Sequence, residues 1–146
     1  MARRGKTRYH EAGHAVMAFK LGLKVHMVDR GFKEKGAERG EGGLTSYSCD
    51  LIATEEYLAI LLAGDISEER YSKVKPLSGG MDLLQCLQVL YQLPHELVEP
   101  ALVDAYALAN KTLEENWDLV EKVAQLMYDN QIVENPFEKL GVENES

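Results

Sequence analysis

The pentapeptide His10-Glu11-Ala12-Gly13-His14 constrains this chain more than any other stretch. Two imidazoles four residues apart lie one turn apart on the same face of an α-helix, so a helix lets both reach a common point. Ala12, Ala15, Val16 and Phe19 supply an apolar side at helical spacing. The expectation is a helix from about Thr7 to Leu21, with Thr7 as its cap and Gly22 as its stop. Gly13 inside that helix costs about 1 kcal/mol relative to alanine. A helix accepts this where something must approach its backbone closely.

The pattern H-E-x-x-H carries a specific chemistry. Zinc suits imidazole nitrogen, and a catalytic zinc takes three protein ligands and keeps one position for water. The metal lowers the pKa of that water toward ~7, and a carboxylate next to the first histidine can take its proton. Glu11 has that place, between ligands His10 and His14. The third ligand is less constrained, because the chain offers no H-E-x-x-H-x-x-G-x-x-H extension. Asp65, Glu68, Glu69 and Asp82 are candidates, with His26 and His95 as outsiders, and spacing alone does not choose among them. Asp82 has one advantage. It starts a helix beside Gly79 and Gly80, amid Met81, Leu83 and Leu84, where a carboxylate needs a partner. An acid that complements a helix dipole is the plainer reading of the same residue. Glu68 and Glu69 are either acids that orient a ligating histidine or a solvated helix face.

The rest of the chain reads as mainly α with a small β-sheet or hairpin: a zincin-like helix carrying the site, then a helical bundle. Residues 24–29 form a strand candidate, and Leu44-Thr45-Ser46-Tyr47-Ser48 a second. Between them, 30–43 is rich in glycine and charge and is expected as an exposed loop. Thr54, Glu55 and Glu56 open a helix that runs to about Tyr71. Ser78 offers a cap for a third helix from about Gly79 to Leu93, stopped by Pro94. Pro100 suits a first helical turn, followed by Leu102, Tyr106, Ala109 and Leu113 on one face. Asn116 breaks and re-caps that stretch, and a last helix carries Val120, Ala124 and Met127. Trp117 and Tyr106 read as packing residues, and His95 as a surface residue at a helix start. From about Asn135 the chain is polar and expected to fray.

At 146 residues and 45% hydrophobic content, one domain spanning 1–146 can bury a core and need not stay disordered. The net charge of -8 argues against nucleic-acid binding, which needs clustered Lys and Arg. The locally basic run Ala2 to Arg8 reads as a solvated approach to the first helix. No apolar run nears the ~20 residues that span a bilayer. No secretory signal follows the basic start, and the default location is cytoplasmic. Cys49 and Cys86 read as free, buried thiols in a reducing compartment.

Tyr9-His10-Glu11-Ala12-Gly13-His14-Ala15 resembles the zinc motif of the FtsH-type metalloproteases, a proteolytic domain usually joined to an AAA ATPase. Leu62-Ala63-Gly64-Asp65-Ile66-Ser67-Glu68-Glu69 resembles that family's Leu-Ala-Gly-Arg-Ala-Ala-Glu-Glu stretch. Leu77-Ser78-Gly79-Gly80-Met81-Asp82-Leu83 resembles the segment that supplies its third ligand, and 103–107 and 113–118 resemble its closing helices. By position, the resemblance implies His10, His14 and Asp82 as zinc ligands and Glu11 as catalytic base. It implies a mostly helical fold with a strand, here Leu44, Thr45, Ser46 and Tyr47, that pairs with an extended peptide or unfolded polypeptide substrate. A homo-oligomer and a separate ATPase partner are implied in the same way. Met81 and Asp65 depart from the family's usual asparagine and arginine, and no phosphate-binding glycine-rich loop occurs. The expectation is thus a zinc endopeptidase working without ATP as a lone domain. The alternative is a zinc-binding, peptidase-like regulatory module with little catalysis. A fourth side chain in the water position, such as His26, would favour the second.

Overall fold

The computed structural model describes residues 2–31, 43–48, 52–75 and 80–143. Most of the expected loop at 30–43, the Ser78 cap and Cys49 lie outside them.

The described residues form six helices and a three-stranded antiparallel sheet: α1 Ala2–Lys20, β1 Val25–Asp29, β2 Leu44–Tyr47, α2 Thr54–Ser72, α3 Gly80–Tyr91, α4 His95–Glu115, α5 Trp117–Leu126, β3 Ile132–Glu134 and α6 Pro136–Lys139. The mainly helical architecture with a small sheet is as expected from the sequence.

The helix α1 begins earlier than its sequence suggests. Thr7 is inside it and buried, so it is no cap. The basic run is itself helical and forms the start of α1; within it Gly5 is buried, and a Cβ there would strike the Tyr71 ring. The partly buried Arg8 donates to the carbonyl of Ala124 at 3.0 Å. The stop at Gly22 is as expected, with φ at 89° in the left-handed region that glycine tolerates.

The helices α1 and α2 cross antiparallel, since Gly5 meets Tyr71, Tyr9 meets Ser67, and His14 meets Ile60. The two helices approach closely at Gly13, where a Cβ would lie 2.5 Å from Ser67 Cβ and 2.6 Å from the Ala63 carbonyl oxygen. The glycine that costs helix stability therefore brings two backbones together. Helix α2 is buried on most of its circumference, including Leu58, Ala59, Ile60, Leu61, Ala63 and Ile66, because it lies between α1 and α4. Its N-cap is Ala53 rather than Thr54, with the Glu56 carboxylate accepting the Ala53 N–H at 3.1 Å.

Three expectations fail in the C-terminal half. Helix α4 starts at His95, directly after Pro94, so Pro100 is inside it rather than in its first turn. The buried face of α4 is Ala105, Ala109 and Leu113, while Tyr106 is 50% exposed. Small residues let α4 approach α2 closely, and the bulky tyrosine points outward. Trp117 does pack, with its ring stacked 5.7 Å from Tyr9. Nor does the chain fray at Asn135. Ile132–Glu134 pairs with β1, and Phe137 stacks on Phe19 with centroids 4.0 Å apart. Three residues are too few to display a period of two, so β3 had no pattern to announce it.

The sheet order is β2-β1-β3, which leaves β2 at an edge. Val28 of β1 is fully buried and opposite Thr45 of β2. The core-facing side of the sheet thus packs against α1 near Glu11.

Candidate metal centre

His10, Glu11 and His14 are all buried, on the side of α1 turned toward α2 and β2. Asp82, in the first turn of α3, reaches the same point. Its Oδ2 is 2.8 Å from His10 Nε2 and 2.9 Å from His14 Nε2, and the two nitrogens are 3.1 Å apart. Three potential ligand atoms from two helices thus form a small triangle. Tetrahedral ligands at zinc distances of ~2.0–2.1 Å would be spaced only slightly wider.

The other ring nitrogens fix the proton positions. His14 Nδ1 is 2.7 Å from the carbonyl oxygen of Ile60, which can only accept, so Nδ1 carries the hydrogen. His10 Nδ1 is 3.2 Å from Glu68 Oε1 and 3.5 Å from Asp65 Oδ1. These carboxylates call for a hydrogen there too. In the neutral rings both Nε2 atoms then carry lone pairs, and both point at an acidic oxygen. Three electron-rich atoms meeting at one point require a cation, either a proton or a metal ion.

The electrostatics agree. Burial disfavours an imidazolium at His10, yet the bonds to Asp82 and Glu68 and the charges of Glu11 and Asp82 outweigh it and raise the pKa to about 10. Burial also pushes Asp82 up, but its bonds to the two histidines hold it well below the usual carboxylate range. A proton and a metal ion compete for one place, so metal uptake releases a proton and weakens as pH falls.

Gly64 of α2 makes the room. A Cβ there would be 2.7 Å from His10 Nε2 and would collide with His14 Nε2. The space in front of the triangle is thus kept clear by the one residue without a side chain. Reading the sequence passed over Gly64 as a site residue, although a glycine in the middle of a helix is the same signal that marked Gly13.

Of the other candidates, Glu68 is almost wholly buried behind His10 and orients it, and Asp65 lies beside it, 38% exposed at its side chain. Burial raises the Asp65 pKa, His10 offsets part of this, and Glu68 and Asp82 add to it. Glu69 is exposed. His26 is on the exposed side of β1 with its Nε2 2.9 Å from Ser48 Oγ, and His95 is exposed at the start of α4. Among the described residues no fourth donor joins His10, His14 and Asp82. Cys86, one turn beyond Asp82, is a buried free cysteine. Burial, then the charges of Asp82 and Asp65, pushes its thiol up to about 11, which disfavours the thiolate that binds metals. Asp82 keeps 34% of its side chain exposed, so the triangle communicates with solvent. A cavity of about 230 Å³ lined by Phe19, Leu23, Val25 and Phe137 is at the far end of α1, away from these residues.

Glu11 faces the edge strand. Thr45 Oγ1 is 2.8 Å from its Oε1, and a Cβ on Gly43 would be 2.9 Å from its Oε2. Of the four residues expected to form a substrate strand, Thr45 touches Glu11, Leu44 is exposed, and Ser46 and Tyr47 are half-buried.

Glu68→Gln tests the support behind His10. The amide oxygen can still accept from Nδ1, but the negative charge is gone. Zinc affinity should fall roughly 10-fold or more, as for lost partners of ligating histidines elsewhere. Competition with a chromophoric chelator measures this, and an unchanged affinity would count against the role.

The chain matches no family model and no curated protein. Among the described residues no helix is long and apolar enough to cross a membrane.

Proposed function

We propose that this domain is a zinc-dependent endopeptidase of the FtsH type, acting on peptides or unfolded polypeptide segments. The observation that carries the reading is the meeting of His10 Nε2, His14 Nε2 and Asp82 Oδ2 beside a buried carboxylate, Glu11, on the same helix. The donor set suits zinc: two imidazole nitrogens and a carboxylate oxygen, without a thiolate.

His10, His14 and Asp82 would hold the ion. When bound, zinc would supply Lewis acidity toward the scissile carbonyl and lower the pKa of a water brought to it. Glu11 would accept a proton from the attacking water and return it to the leaving amine. Glu68 and the Ile60 carbonyl hold the two imidazoles in the tautomer that presents Nε2. The edge position of β2 supports recognition of extended substrates by strand addition. The resemblance further implies a homo-oligomer and a separate ATPase partner.

A zinc-binding regulatory module is the competing idea, and the three-donor set weighs against it, since purely structural zinc sites usually close with four protein ligands. The test is metal removal. The zinc-loaded chain should cleave fluorescently labelled casein, lose cleavage on chelation, and regain it with about one zinc ion per chain. Zinc binding without cleavage would favour the module. Cleavage that persists in the metal-free chain would sink the proposal.

A further inference from the structure

We infer that Thr45 is a positioning residue for the base, so that the strand expected to bind substrate also aims Glu11; this rests on the peptidase reading above. Glu11 is buried, and a buried carboxylate with several torsions needs a fixed partner to hold one orientation. Thr45 Oγ1 is placed to donate to Glu11 Oε1 at 2.8 Å, and it is also 3.0 Å from the carbonyl oxygen of Glu11. One hydroxyl hydrogen is thus shared between the carboxylate and the backbone carbonyl of the same residue, nearer the carboxylate, and this restricts how the side chain folds over the helix. The other oxygen, Oε2, faces Gly43, where any side chain would crowd it. Two residues of one strand segment thus bracket both oxygens of the base.

The residue type is informative. Thr45 is opposite fully buried Val28 in the sheet, a position where valine would pack as well. The hydroxyl adds nothing to burial, and its described partners are the two oxygens of Glu11. Because Thr45 is in edge strand β2, a peptide that pairs there presses on the element that orients the base. Binding and proton transfer are mechanically linked through one side chain.

The experiment compares wild type, Thr45→Val, Thr45→Ser, Glu11→Gln and the Glu11→Gln/Thr45→Val double variant, all zinc-loaded, with labelled casein as substrate. Thr45→Val should keep its zinc and its KM, while kcat falls roughly 10- to 100-fold because the base is misaimed. Thr45→Ser should recover most of that loss. In the Glu11→Gln background Thr45→Val should cost nothing further, since the group it aims is already disabled. An unchanged kcat in Thr45→Val would overturn the inference. So would a loss confined to KM, or Thr45→Ser as impaired as Thr45→Val. Wild type that holds zinc and never cleaves would instead overturn the peptidase reading, and this inference with it.

Discussion

Glu11→Gln is expected to retain its zinc and lose peptide cleavage by roughly 10²- to 10⁴-fold, the usual worth of a positioned general base. The substitution is nearly isosteric, and Glu11 is not among the three atoms of the triangle. The glutamine oxygen can still accept from the Thr45 hydroxyl, so the buried group keeps its partner and the fold is undisturbed. What disappears is the capacity to take a proton. Zinc content by elemental analysis, the circular dichroism spectrum and the casein-cleavage rate together separate this outcome from unfolding. Turnover near the wild-type rate with zinc in place would remove Glu11 from the mechanism.

Gly64→Ala should be more damaging than any conservative change to an ordinary helix residue. In an exposed helix interior, glycine to alanine stabilises by about 1 kcal/mol. Here the methyl group would enter the space in front of both Nε2 atoms, 2.7 Å from that of His10. The helices cannot move apart cheaply, because Gly13, Ala63 and Ser67 lock them just beside that point. Overpacking should cost the metal-free protein about 1–3 kcal/mol. Zinc affinity should fall by more than about 100-fold, beyond what losing a histidine's outer partner costs. Chelator competition and thermal unfolding of the metal-free chain read the two effects apart. Wild-type zinc affinity in Gly64→Ala would show that the ion's place lies elsewhere.

The parts of this site that sequence reveals are those written at short range. A four-residue spacing on a helix is a local property, so His10, Glu11 and His14 could be read directly. Asp82 is on another helix, and spacing left it level with other acids; the resemblance singled it out. Asp82 is indeed partly buried, and its oxygen finds its partners in the two histidines. The apolar neighbours Leu83 and Leu84 do not supply that burial, since they are 42% and 48% exposed; Asp82 packs instead against His10 and His14. Helix periodicity located the long helices of the described residues and both ends of α2, but not the starts of α1 and α4. The start of α1 is held by contacts with Tyr71 and Ala124, which no local signal encodes. The strand β3 exists because β1 offers a partner edge, and the short run Ile132–Glu134 carries no pattern of its own.

The pairing of β1 with β3 also sets an order in time. The residues of the triangle all occur before position 83, yet the sheet behind Glu11 takes its third strand from residues 132–134, and Arg8 finds its acceptor at Ala124. Closing such a long stretch of chain has a substantial entropic cost that later contacts must recover. During synthesis, the ligand-bearing helices would emerge while their supports were still unmade. On the peptidase proposal, a centre that depends on these supports would gain activity only once the rest of its own chain has folded.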